Sequence, residues 1–156
     1  EGTLADIRAQ NELAFRLQDA RVQVAIMANA LEWVRKQIKD LGSLAAADSR
    51  DLAAVLASLD EVGGTATALE SEFFNLKHTY FLRSPAMLMS KLGSVGSGSV
   101  DFPPTDQQVE VAAMLIGQAA ERQAEFDALV NQELPRINQL LTANGLPIIV
   151  VPKEQR

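Results

Sequence analysis

Residues 4–41, LADIRAQNELAFRLQDARVQVAIMANALEWVRKQIKDL, decide the fold. Apolar side chains recur at Leu13, Leu17, Ala20, Val24, Met27, Leu31, Val34, Ile38 and Leu41. Alternating steps of three and four residues make the a/d seam of a helix that packs against other helices. Thr3 and Asp6 stand in the positions of a capping box, with Asp in place of the usual Glu. Gly42 follows the last seam residue, which predicts a helix stop there. Such a helix would be roughly 55 Å long at 1.5 Å per residue.

The same reading extends along the chain. A second seam runs through Leu52, Val55, Leu59, Val62, Ala66, Leu69, Phe73, Leu76 and Tyr80. Asp48 or Ser49 is its expected N-cap, and Asp51 adds negative charge to the first turn. Gly63-Gly64 interrupts it at a cost of about 1 kcal/mol per glycine against Ala, so a kink or a close helix–helix approach is expected there. A third segment opens on PPTDQQ (103–108), where Thr105 and Gln108 form a capping box. Its seam is Val109, Ala112, Ile116, Ala119, Gln123, Phe126, Val130, Glu133, Ile137 and Leu140, widened by Leu115, Leu129, Leu134 and Leu141. Pro135 should kink or split that helix. ANGLP (143–147) is a helix end, with Gly145 near C′ and Pro147 beyond.

Between the second and third segments, Ser84-Pro85 reads as an N-cap followed by a proline at N1. A short helix over about 85–92 follows, then GSVGSGSV (93–100) as a flexible loop. These elements predict an all-α fold: an antiparallel up-down-up bundle of three long helices plus a short fourth. Residues 1–146 form the bundle, and 147–156 an extended tail. The short connection after the first helix favours packing within the chain over a homo-oligomeric coiled-coil spacer, which stands as a competing reading. The opening EGTLADIRAQ lacks a Met and enters a helical pattern at once, as expected of a piece of a longer chain.

Composition restricts the function. A chain of 156 residues suits one domain with a real core. The net charge of −6, without a Lys/Arg cluster, argues against nucleic acid or an anionic membrane as the main partner. No run of about 18 apolar residues exists, so no transmembrane helix is expected. The absence of Cys excludes disulfides and thiolate chemistry. One histidine, His78, is too few for a zinc site, and no Glu precedes it by three, as a di-iron bundle requires. Neither a calcium loop, a nucleophile elbow nor a phosphate loop is present. Glu70 with Glu72 and Glu121 with Glu125 read as solvated helix charge. No catalytic, metal or cofactor residue is assigned.

What stands out is LKHTYFLRSPAMLMSKLG (76–93), which holds the sole His and Tyr and two of the four Met. Phe81, Arg83, Met87, Met89 and Lys91 are the candidate interaction residues, since Met and Arg favour interaction surfaces. The bland alternative is that Met87, Leu88 and Leu92 plug the bundle end. The rival class is an enzyme or small-ligand carrier with a pocket near Tyr80 and His78. Trp33, one position before Val34, is expected at the flank of the core.

Three features resemble the C-terminal helical extension of bacterial sortilin-like (VPS10-type) BNR/Asp-box β-propeller proteins. A short apolar segment ends in KLG (Met87 to Gly93), PTDQQ follows at Pro104 to Gln108, and a last helix carries the step Leu134-Pro135. The similarity covers mainly residues 76–145. It implies an accessory domain of a larger exported or periplasmic protein, acting as a helical cap or docking element on an adjacent domain or a protein partner. No S-x-D-x-G-x-x-W box occurs in the chain, so the propeller's own activity is not implied for it.

Overall fold

The computed structural model describes residues 3–74, 87–95 and 102–151. Among these the fold is all-α: α1 (Leu4–Ala47), α2 (Ala53–Phe73), α3 (Leu88–Val95), α4 (Asp106–Ala128), a π-helical turn (Leu129–Glu133) and α5 (Leu134–Ala143). No strand occurs among the described residues. Contacts divide the chain into two compact units. The first holds Glu1–Ala25 and Glu72–Gln123, the second Ile26–Ser71 and Ala124–Arg156.

α1 begins as its cap residues dictate. The Thr3 N–H donates to Asp6 Oδ2 at 2.8 Å, and the Asp6 N–H donates to Thr3 Oγ1 at 3.2 Å. Hydrogen bonding to its carboxylate, first from the Thr3 N–H and then from the Thr3 side chain, holds the Asp6 carboxyl below its ordinary range. Every residue of the expected seam from Leu13 to Leu41 is buried. The expected stop at Gly42 is wrong. The helix runs on to Ala47, because Ala45 continues the buried seam four residues beyond Leu41. A C′ glycine is useful only where the chain must turn. Here the turn lies later, at Asp48–Leu52, and Gly42 remains an interior helical residue.

α2 is capped by neither Asp48 nor Ser49. Asp51 Oδ1 instead accepts the Ala53 N–H at 3.2 Å. Asp48 is engaged elsewhere: its carboxylate accepts from the Arg50 N–H at 2.9 Å and from the Arg50 guanidinium at 2.6–3.1 Å. The same guanidinium donates to the Asn144 carbonyl at 2.8 Å, which ties the α1–α2 turn to the end of α5. Seam residues Leu52 to Phe73 are all buried, while Leu76 and Tyr80 lie outside the described residues.

Within the second unit α1 and α2 run antiparallel. Arg35 pairs with Glu70, and Ile38, one turn on, faces Gly63, seven residues back. A Cβ on Gly63 would lie 3.2 Å from Ile38 Cγ2, whereas one on Gly64 would meet nothing within 4 Å. The expected close approach therefore belongs to Gly63 alone, and α2 stays helical through both glycines.

α4 opens on the expected capping box. The Thr105 N–H donates to Gln108 Oε1 at 2.9 Å, and the Gln108 N–H donates to Thr105 Oγ1 at 3.2 Å. The split expected at Pro135 takes the form of a π turn. The Leu134 N–H bonds to the Leu129 carbonyl, five residues back. Pro135, at the start of α5, has no N–H to donate and crowds the carbonyl four residues before it. The extra residue in the wide turn corrects the expected seam. Burial steps from Phe126 to Leu129, then jumps five places to Leu134, and continues through Ile137 and Leu141. Val109 is exposed, while Val130, Glu133 and Leu140 are only half-buried. The polar Glu133 thus escapes the core that a strict heptad would have forced on it.

α5 ends in a Schellman motif. Gly145 has φ +67°, its N–H donates to Thr142, and the Leu146 N–H donates to Leu141 at 2.9 Å. The segment from Leu146 to Val151 is then an extended strap. Leu146, Ile149 and Val151 are buried, and Ile148 and Val150 are exposed. Two side-chain amides hold it as a neighbouring strand would. Asn138 accepts the Ile149 N–H at 2.7 Å and donates to its carbonyl at 2.8 Å. Gln37 accepts the Val150 N–H at 3.0 Å and donates to that residue's carbonyl at 2.9 Å.

Candidate functional site

The candidate stretch is partly described. His78, Tyr80, Phe81, Arg83 and the Ser84-Pro85 step lie outside the described residues. Met87, Met89 and Lys91 lie at the start of α3. This helix covers 88–95 rather than about 85–92, so the first three residues of GSVGSGSV are helical. The Lys91 N–H bonds to the Met87 carbonyl at 3.0 Å, which places Met87 at the helix entry. Leu88 and Leu92 are buried, four residues apart on one face, and anchor α3 in the first unit. α3 lies beside α1: a Cβ on Gly93 would sit 3.7 Å from the Arg21 guanidinium carbon, an ordinary van der Waals distance.

Met87 and Lys91 line one cleft of about 350 Å³ with Glu72, Leu88, Gln118, Glu121 and Arg122. Met89 is half-buried and is not part of its lining. The α4 residues, at spacing i, i+3, i+4, share one helix face. Arg122 and Glu121 approach to 3.8 Å. The cleft therefore offers a thioether and an aliphatic wall, rimmed by two carboxylates, one ammonium, one guanidinium and one amide.

Glu72, Gln118, Glu121 and Arg122 were not legible as site residues. On a helix wheel they are ordinary solvated polar positions, and only the seating of α3 brings Met87 and Lys91 alongside them. Among the described residues no group of three or more His, Asp or Glu side chains could hold a metal ion. Also among them, no helix is long and apolar enough to cross a membrane. Trp33 is 49 % exposed, with Lys36 Nζ 5.8 Å from its ring centroid, on the flank of the α1 seam.

Comparison with known proteins gives no match: no protein-family model, no curated protein and no solved structure resembles the chain at a significant level.

Proposed function

We propose that this chain is a non-enzymatic helical module that docks a protein partner, or an adjacent domain of its parent chain, through the α3 cleft. The observation that supports this reading is the meeting of Met87 and Lys91 with Glu72, Glu121 and Arg122 around one concave surface. Methionine adapts to varied apolar partners, and charges of both signs at the rim set orientation and register. The resemblance to propeller-associated helical extensions points the same way, towards an accessory domain of an exported protein.

Site-specific photo-crosslinking tests it. A crosslinking amino acid is placed at Lys91, at Met89, and at Asp60 as a control on the exposed face of α2 in the second unit. The proteins are irradiated in the native host. The expected result is a discrete adduct to one protein surface from position 91, weakened by Glu121→Lys and absent from position 60. Equal, diffuse labelling from all three positions would refute the docking role.

A further inference from the structure

The second unit carries a separate cleft of about 450 Å³, between α2 and the stretch formed by the π turn and α5. Its floor is apolar: Val62 and Ile137 are 7 % and 3 % exposed. Around it stand three charged side chains, Glu61 from α2 and Glu133 and Arg136 from the other wall. None of the three makes an ion pair or a side-chain hydrogen bond among the described residues. Glu133 and Arg136 are three residues apart, a spacing at which helical neighbours commonly pair. Here both remain available to a third party.

The π turn is what puts Glu133 there. In a continuous heptad this residue would follow Leu129 into the core, but the inserted residue hands that place to Leu134. Single π turns within helices recur at functional sites because they re-aim a side chain without ending the helix. The cavity lies within the range of roughly 300–1,000 Å³ typical of small-ligand sites.

We propose that this cleft binds a free aliphatic α-amino acid. The ammonium group lies between Glu61 and Glu133, the carboxylate on the Arg136 guanidinium, and the aliphatic side chain on Val62 and Ile137. A simple anion would face two carboxylates, and a simple amine would leave Arg136 unanswered. A zwitterion with an apolar side chain gives each charged group a partner of opposite sign, the ammonium being shared by the two carboxylates, and covers the floor. Arg is suited to the carboxylate because its planar fork can bind both oxygens.

The test is an NMR titration of the whole chain with L-leucine, leucinamide and N-acetyl-leucine. Leucinamide lacks the carboxylate and N-acetyl-leucine the ammonium. L-leucine is expected to shift amides within residues 58–65 and 133–140, saturating with a Kd near 1 mM, on the order of −4 kcal/mol. Each analogue should bind at least about tenfold more weakly, the factor that 1.4 kcal/mol represents. Arg136→Gln should lower L-leucine affinity to that of leucinamide, with circular dichroism unchanged at this exposed position. Absence of localised shifts up to about 50 mM would overturn the proposal. So would shifts of equal size and affinity for all three compounds.

Discussion

α1 and the α4–α5 stretch answer an imperfect residue in opposite ways. α1 carries Gly42 in its interior and continues without change to Ala47. The other stretch carries Pro135 and changes hydrogen-bond register before it. Glycine lacks a side chain but keeps its N–H, so the helix ladder stays whole at a cost of about 1 kcal/mol. Proline removes a donor and clashes with the turn behind it, so the backbone must rearrange or break. The rearrangement here also repairs the hydrophobic pattern, since the five-residue step from Leu129 to Leu134 skips Glu133.

Single-residue deletions break this comparison most sharply. Removing exposed Asn29 from α1 rotates every later seam residue by about 100°, and loss of cooperative unfolding is expected, a cost well above about 5 kcal/mol. Removing Asn131 from the π turn, combined with Pro135→Ala, leaves steps of four and three from Leu129 through Leu134 and Ile137. This double variant should fold, within about 1 kcal/mol of the parent, as an uninterrupted helix. Urea denaturation of both proteins decides the matter. Equal damage from the two deletions would mean that the π turn is not the place where the pattern absorbs an extra residue.

The strap allows a second comparison, between its two amide clamps. Asn138→Ala strands a part-buried N–H and C=O of Ile149, and about 2 kcal/mol of destabilisation is expected. Gln37→Ala frees groups of Val150 that water can reach, so less than about 1 kcal/mol is expected. Denaturation midpoints for the two variants give the order directly, and a reversed order would place the tighter hold on α1.

The glycines form a smaller test. Gly42→Ala and Gly64→Ala place a methyl group in open space and should each stabilise by about 0.5–1 kcal/mol. Gly63→Ala must displace Ile38 by a few tenths of an ångström and should gain less or lose. A thermal shift for Gly63→Ala equal to the other two would show that α1 and α2 are not held at that crossing.

The smallest effect concerns the Asp48–Arg50–Asn144 link. Hydrogen bonds from Arg50 lower the Asp48 carboxyl from an ordinary value of 3.8 to about 2. A depressed carboxylate contributes its stability above the unfolded value and loses it as pH falls through the folded one. The link should therefore be intact above pH 4 and weaken as pH falls towards about 2. Asp48→Asn should flatten the acid limb of the stability curve in that window. An unchanged limb would show that the bridge adds nothing to folding.

The all-α class, both capping boxes, the seams of α1 and α2 and the Gly145 helix end were legible because they depend on residues close in sequence. Cap hydrogen bonds span three residues, and a seam is a periodicity. The end of α1, the true cap of α2 and the frame of α5 were not legible. Each rests on a competition between alternatives: whether Gly42 or Asp48 marks the turn, whether Asp48 binds Arg50 or a helix N-terminus, whether Pro135 breaks the helix or widens it. Of the candidate docking residues, the pattern singled out Met87 and Lys91. Glu72, Gln118, Glu121 and Arg122 were hidden among ordinary polar surface residues.

The sequence by itself determined the kind of element and the faces that α1 and α2 bury, because helix propensity, caps and three–four spacing act within a few turns. Tertiary structure decided where α1 stops, how Glu133 leaves the core, why Gly63 rather than Gly64 is a contact, and which distant side chains hold the strap. Those outcomes depend on atoms brought together from remote parts of the chain. Their energies, about 1–3 kcal/mol each, are comparable to the local preferences they override.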